Sequence, residues 1–184
     1  MEQDDTLTTL ITQAQRGDRN AFARLVELHY DLIFRIAYKW CGHRDDAQDI
    51  AQDVCIKLAR AIAGYAFQSA FKSWLYRMVI NTAKDMKRKD KPMDDIMDHE
   101  HEIAGGEASP DEAHYAAQVL RAVSALPDNE KTAILLVAAE GLSHKEAATV
   151  MDCKESTVSW YIHEGRKKLD AMKDSIKEGG RRHG

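Results

Sequence analysis

Proline is confined to one window of this chain. Pro92, Pro110 and Pro127 are its three prolines, and the long stretches on either side have none. Proline removes a backbone donor and clashes with the preceding turn, so proline-free flanks are where long helices can form. Both flanks carry helical periodicity, and neither shows a convincing period-2 strand pattern. Leu7, Leu10, Ile11 and Ala14 recur at i, i+3, i+4 and i+7 and stop at Gly17. Phe22, Leu25, Val26, Ile33, Ile36, Ala37 and Trp40 continue one stripe over about five turns, stopped by Gly42. Ala47, Ile50, Ala51, Val54, Leu58, Ala61 and Ile62 make a third stripe ending at Gly64, and Phe71, Leu75, Met78, Val79, Thr82 and Met86 a fourth. The first half of the chain is therefore expected to be a helical bundle.

The second half reads as shorter helices. Ser109-Pro110-Asp111-Glu112 has a Ser cap, Pro at the first helical position and Glu at the third, which marks a helix start continued by Val119, Leu120, Val123 and Leu126. The run from Lys131 to Glu140 is helical and ends at Gly141. Ser143-His144-Lys145-Glu146 is a second capping box, opening a helix through Met151. The turn Asp152-Cys153-Lys154 then leads to a last helix from about Glu155 to Ile176. A short helix, a tight turn and a longer helix form a helix-turn-helix pattern. Between the halves, the segment from Asp90 to Pro110 is acidic, contains Gly105-Gly106 and lacks sustained periodicity, as a linker does. The expected division is a domain at 1–91, a linker at 92–110 and a second domain at 111–184.

Composition removes several alternatives. The longest apolar run, Ala133 to Ala139, is far short of the ~20 residues that span a bilayer. The start Met1-Glu2-Gln3-Asp4-Asp5 is acidic with no apolar stretch behind it, so no secretory signal or membrane insertion is expected, and the chain should stay in the cytoplasm. Cys41, Cys55 and Cys153 have no metal-ligand spacing and read as free, partly buried thiols. Asp98-His99-Glu100-His101-Glu102 lies in the linker without preformed geometry, so no metal or other cofactor is expected. The net charge of −4 conceals a partition. Residues 72–89 carry six basic groups and one acid, while 90–121 carry two basic groups and nine acids. A concentrated basic stretch reopens nucleic-acid binding despite the acidic total.

Helical projection locates the surfaces. On the last helix, Val158, Ile162, Gly165, Leu169, Met172 and Ile176 share the buried side, with Ser156, Trp160, His163 and Lys167 opposite. Polar side chains and a stray aromatic on the first turns of such a helix suit base edges and thymine methyls in a major groove. Arg166, Lys167 and Lys168 sit deeper, where phosphates are met. On the fourth helix Arg77, Asn81, Lys84 and Arg88 form a ridge beside the buried face, and the loop before it carries Tyr65, Phe67 and Phe71, rings suited to unpaired bases. The third helix is chemically opposite: Asp45, Asp49, Gln52 and Asp53 surround an outward Ile56, a face for a basic, partly apolar protein surface.

These parts arrive in a recognisable order. Gly17-Asp18-Arg19-Asn20-Ala21-Phe22, then Asp46-Ala47-Gln48-Asp49-Ile50-Ala51-Gln52-Asp53, then Phe71-Lys72-Ser73-Trp74-Leu75-Tyr76-Arg77 and Asn81 to Arg88 resemble the second domain of a bacterial RNA polymerase sigma factor. Leu126-Pro127, Gly141-Leu142-Ser143 and Glu155-Ser156-Thr157-Val158 with Arg166 look like the fourth domain. With both modules and no third domain between them, the chain resembles the extracytoplasmic-function sigma factors across residues 7–172.

The resemblance implies an all-α protein of two helical domains that binds core RNA polymerase and directs promoter recognition and melting, without being an enzyme itself. It implies a core-polymerase surface, on the beta-prime clamp helices and the beta subunit, from Asp46, Asp49, Ile50, Gln52, Asp53 and Ile56. It implies minus-10 contacts to the non-template strand from Phe67, Gln68, Ser69, Phe71, Lys72, Trp74, Arg77, Asn81, Lys84 and Arg88. Contacts to the minus-35 duplex would come from Lys154, Ser156, Thr157, Ser159, Trp160, His163, Arg166 and Lys167. An anti-sigma factor is a further family expectation, and the acidic linker would thread toward the active-site cleft. Three departures stand out: Gln48 where the family usually has Glu, a loop Ala66-Phe67-Gln68-Ser69 without the usual Arg-Gly, and Ser159-Trp160-Tyr161 in place of a basic-Ser-Arg run. The residues alone also leave open a conventional helix-turn-helix regulator acting as a dimer on duplex DNA.

Overall fold

A computed structural model describes residues 2–89 and 118–181, with side chains described over 6–89 and 118–172. The linker 92–110, the Ser109 helix start and the Asp98–Glu102 stretch lie outside the described residues. The chain divides into two compact units, Met1–Arg88 and Lys89–Gly184. Among the described residues there is no strand.

The first unit holds α1 (Glu2–Gln15), α2 (Arg19–Cys41), α3 (Arg44–Ala61) and α4 (Phe71–Lys89). Each apolar stripe read from the sequence turns inward. Leu25, Ile33, Ile36 and Trp40 of α2 and Ile50, Val54 and Leu58 of α3 are buried where these two helices pack together, and Ile11 and Ala14 are buried on α1, which packs on α2. Each fully buried aliphatic side chain contributes about 1.5–3 kcal/mol. The helix ends follow local chemistry. Asp18 caps α2 by accepting from the Asn20 and Ala21 amides at 2.9 and 3.1 Å, which satisfies donors the first turn leaves open. Gly42 ends α2 in the left-handed region at φ 80°, donating to the Tyr38 carbonyl, a conformation a Cβ would disfavour. The third helix does not run to Gly64: it stops at Ala61 and tightens into a 3₁₀ turn, Ile62–Gly64. The buried side of α4 is wider than its stripe suggested, because Tyr76, Ile80 and Ala83 are buried beside Phe71, Leu75, Val79 and Thr82.

In the second unit a helical stretch at 118–124 precedes α5 (Asp128–Ile134), whose last turns relax into a π-helical segment, Leu135–Ala139. There follow α6 (His144–Met151) and α7 (Glu155–Arg181). The Ser143 capping box forms as its spacing requires, with the Glu146 amide donating to Ser143 Oγ and the Ser143 amide donating to the Glu146 carboxylate at 2.8 Å. Asp152 turns the chain between α6 and α7 at φ 52°, and Cys153 donates its amide to the Ala148 carbonyl. Val158 and Ile162 of α7 are buried with Leu126, Ala133 and Leu136 in the core of this unit, where α7 packs on α5. At Gly165, α7 lies close against α5: a Cβ there would lie 2.5 Å from the end of the Ile134 side chain, Cδ1. All three cysteines are free and half-buried.

Candidate polymerase and nucleic-acid interfaces

The outer face of α3 is acidic and uncovered. Asp45, Asp46, Asp49, Gln52 and Asp53 are exposed around Ile56, which is 50% exposed. Ile50 does not share that face. It is 1% exposed, because it falls on the Ala47–Val54 stripe, so it holds α3 in place and offers a partner nothing. The acids at Asp45 and Asp46 also favour the positive N-terminal end of their own helix.

The loop between the 3₁₀ turn and α4 is a nest of rings. Tyr65 is buried and stands 4.8 Å from Phe67, 5.0 Å from Trp74 and 5.3 Å from Phe71, centroid to centroid. Its hydroxyl donates to the Ser69 carbonyl at 2.6 Å, closing the loop on itself, and burial pushes the phenol's pKa up, so it stays a donor. Gln15 of α1 donates Nε2 to the Tyr65 carbonyl at 2.7 Å and to the Ile62 carbonyl at 3.1 Å. Phe67 is displayed by this frame: it is 46% exposed and its backbone is left-handed at φ 56°, a conformation that costs a non-glycine residue about 1–3 kcal/mol. The departure noted in the sequence thus has a structural counterpart, a ring held on glycine-like backbone. Phe71 is a correction to the expected DNA contacts. At 4% exposure, with His29 edge-on at 5.2 Å, it plugs the bundle under the loop.

Of the other expected minus-10 residues, Gln68, Lys72, Asn81 and Arg88 are exposed, and Ser69, Trp74, Arg77 and Lys84 are half-buried. Several α4 cations already have partners. Arg88 pairs with Asp85, Lys72 lies over the Tyr76 ring at 5.6 Å, and Lys87 lies over the Trp40 ring at 5.8 Å. Lys57 of α3 donates to Thr82 Oγ1 at 2.9 Å and stands 3.8 Å from Asp85, binding α3 to α4.

On α7 the outer side carries Ser156, Ser159, Trp160, His163, Arg166 and Lys167, all exposed, with Lys154 exposed in the turn and Thr157 half-buried. Trp160, 55% exposed, rests on Tyr161 at 5.2 Å, and Tyr161 Oη accepts from Asn129 Nδ2 at 3.1 Å. Lys168 departs from its expected place among the phosphate-facing cations: it turns inward and donates to both oxygens of the buried Glu130 carboxylate at 2.8 Å. His144, not singled out in the sequence, has its Nδ1 2.9 Å from Ser159 Oγ. No sequence pattern announces that pair, or the Gln15 bonds, because the partners are remote along the chain.

Comparison with known proteins follows the same two units. The family profile described as Sigma-70 region 2 matches residues 25–92, and that described as Sigma-70, region 4 matches residues 116–169. The chain is 35% identical to the RNA polymerase sigma-H factor of Pseudomonas aeruginosa, over 96% of this chain and 97% of that protein. It is 31% identical to the ECF RNA polymerase sigma factor SigW of Bacillus subtilis, over 86% of this chain and 92% of that protein. Among solved structures, the sigma factor RpoE of Bartonella quintana, crystallised with the anti-sigma factor NepR, shares the fold with a TM-score of 0.68 at 21% identity, covering 83% of this chain and 96% of that one.

Proposed function

The chain belongs to the family of extracytoplasmic-function RNA polymerase sigma factors, and from that premise we propose how its two units divide the work of initiation. As a member of that family it is an alternative sigma factor. It is not an enzyme but a factor that directs core RNA polymerase to promoters, which sets aside the dimeric regulator. The finer assignment is as follows. The outer face of α3, through Asp46, Asp49, Gln52, Asp53 and Ile56, docks on the beta-prime clamp helices. The loop with Phe67 and Gln68, together with Trp74, Arg77, Asn81, Lys84 and Arg88 of α4, holds the melted non-template strand of the minus-10 element. The outer face of α7 reads the minus-35 element in the major groove, with Arg166 and Lys167 on phosphates. The acidic linker at 92–110 follows a path built for polyanionic RNA. The chain works in the cytoplasm beside the polymerase, and no described helix is long and apolar enough to cross a membrane. An anti-sigma factor holds it inactive, as the NepR complex of the Bartonella protein suggests for its fold relative.

The observation that carries this division is the chemical contrast inside the first unit. α3 offers carboxylates around an uncovered isoleucine, a face that repels DNA. The adjoining loop and α4 offer rings and cations, a surface that attracts it. Reversing Asp49 to Lys tests it. Holoenzyme assembly, followed by fluorescence anisotropy of labelled chain with core polymerase, is expected to weaken several-fold while the far-ultraviolet circular dichroism stays unchanged. Wild-type affinity for core polymerase in Asp49→Lys would remove α3 from the contact.

A further inference from the structure

We propose that His144 is a positioning residue for promoter readout: it holds Ser159 of α7 as a hydrogen-bond acceptor, so that Ser159 selects adenine or cytosine on the strand it faces. The proposal rests on the reading of α7 as the minus-35 helix and adds to it the chemistry of one position.

A serine hydroxyl has one hydrogen to give and two lone pairs to receive with, and it rotates to suit its surroundings. Ser159 Oγ has two protein partners. The Glu155 carbonyl, one turn back, lies at 3.2 Å, and His144 Nδ1, from the first turn of α6, lies at 2.9 Å. A carbonyl can only accept. If the imidazole donates from Nδ1, the hydroxyl hydrogen goes to Glu155. If the imidazole accepts at Nδ1, the hydroxyl hydrogen goes to His144. In either tautomer the hydrogen points into the protein, and what faces outward is a lone pair.

Giving that hydrogen to a base would forfeit a bond already made, which costs about 0.5–1.5 kcal/mol and corresponds to about a two- to twelvefold preference for accepting. In the major groove the groups that donate are the N6 amine of adenine and the N4 amine of cytosine, whereas guanine and thymine offer acceptors. Ser159 is exposed and sits within the first two turns of α7, where base edges are within reach. His144 is half-buried at the start of α6, so it acts on readout through Ser159.

The test is multi-round transcription by core polymerase carrying the full-length chain, on a promoter set in which each minus-35 position is varied through all four bases. The wild type is expected to favour adenine or cytosine over guanine and thymine about two- to twelvefold at one position. Ser159→Ala should flatten that position and leave the others unchanged. His144→Phe should reduce the preference without abolishing it, because only the longer 3.2 Å bond to the Glu155 carbonyl then holds the hydroxyl hydrogen inward. His144→Asn, whose amide reaches the place of Nδ1, should restore it. A residue with a merely structural role would weaken all promoters alike. An unchanged base profile in Ser159→Ala overturns the proposal, and so does an unchanged profile in a His144→Phe chain whose circular dichroism is native. Should His144→Phe fail to fold, His144→Ala takes its place, and a preference left unchanged by His144→Ala overturns the proposal. If no minus-35 position matters to the wild type, or if Ser156→Ala, Trp160→Ala and His163→Ala each leave all minus-35 dependence intact, the reading of α7 itself has failed, and the proposal falls with it.

Discussion

Cations on α4 and cations on α7 are held differently. On α4, Arg88 is paired with Asp85, and Lys72 and Lys87 lie over the rings of Tyr76 and Trp40. On α7, Lys168 is drawn in by Glu130, but Arg166 and Lys167 make no hydrogen bond or ion pair among the described residues. The apolar chemistry is reversed. The first unit gathers Tyr65, Phe67, Phe71 and Trp74 into one nest, whereas α7 exposes Trp160 on the outer side of a helix. The contrast suits two different targets. A ring nest gains little from intact duplex, whose bases are stacked away, and a great deal from an unpaired strand. Unpaired cations on a rigid helix gain at once from duplex phosphates. On the proposed division, the first unit grips by shape once the strands part, and the second finds the duplex by charge and edge contacts.

The largest expected effect tests whether the second unit depends on a rigid frame. Gly165→Val puts branched carbon against the tip of Ile134 and against Glu130 Cβ and Ile134 Cγ1, which lie 3.4 and 3.5 Å from the place of its first atom, and overpacking of this kind costs about 1–3 kcal/mol. Hydrogen-exchange mass spectrometry should show protection lost across α5, α6 and α7 while α1 to α4 keep theirs. Loss in both units together would mean that they do not fold independently, and the contrast between them would lose its basis.

Phe67 tests the ring nest. Phe67→Gly removes the ring and relieves the left-handed backbone, so stability should hold within about 1 kcal/mol while open-complex formation falls about fivefold or more. Phe67→Val also removes the ring but puts a β-branched residue on the same backbone, and should lose stability as well. Permanganate footprinting of the minus-10 region, read beside thermal melts of the free chain, separates the two. Undiminished melting by Phe67→Gly would take the ring out of the mechanism.

Charge supplies a third, smaller test. Neutralising Lys167 should lower the salt slope of promoter binding by about one, because one fewer counterion is released. Arg88→Ala should lower it by less, since Asp85 already offsets Arg88 in the free chain. Equal slopes for the two variants would show that the α4 cations reach phosphates as freely as those of α7.

Much of this was legible before any coordinates, and the gaps have a common cause. Periodicity reports which way a residue points on its own helix. It therefore separated the acidic face of α3, the ridge of α4 and the outer face of α7, and it put Gly165 on the buried side. It cannot report what another element brings to meet that residue. At Gly165 the end of the Ile134 side chain fills the place a Cβ would take, and Lys168 leaves the phosphate-facing row because Glu130 is buried within its reach. Ser159 is engaged because His144 arrives across the turn, and the Phe67 loop is closed by Gln15 from α1. Ile50 and Phe71 differ from the expected contacts for another reason: the family motif runs through both faces of its helix, and the periodicity itself puts Ile50 with Ala47 and Val54, and Phe71 at the head of an apolar stripe.

The smallest expected effect concerns the start of α6, the helix that brings His144 to Ser159. Glu146 is held below the ordinary carboxyl value of 4.5, first by the Ser143 hydroxyl and then by the Ser143 amide, both of which donate to its carboxylate. A carboxyl with a lowered folded pKa contributes stability that is present above its unfolded value and is lost as the pH falls through the lower folded value. The box should therefore be intact at neutral pH and weaken from about pH 5 downward. Because the group is exposed and screened by solvent, the effect should be local. Amide exchange at Ser143 and Glu146, followed by NMR, should quicken between about pH 5 and 3 in the wild type beyond the intrinsic trend, and Glu146→Gln should show no such step. A step of the same size in Glu146→Gln would assign the acid response to some other carboxylate. Should the step also appear at Ser159, the capping box and the reading helix are coupled through His144, and the rigidity ascribed to the second unit begins at this turn.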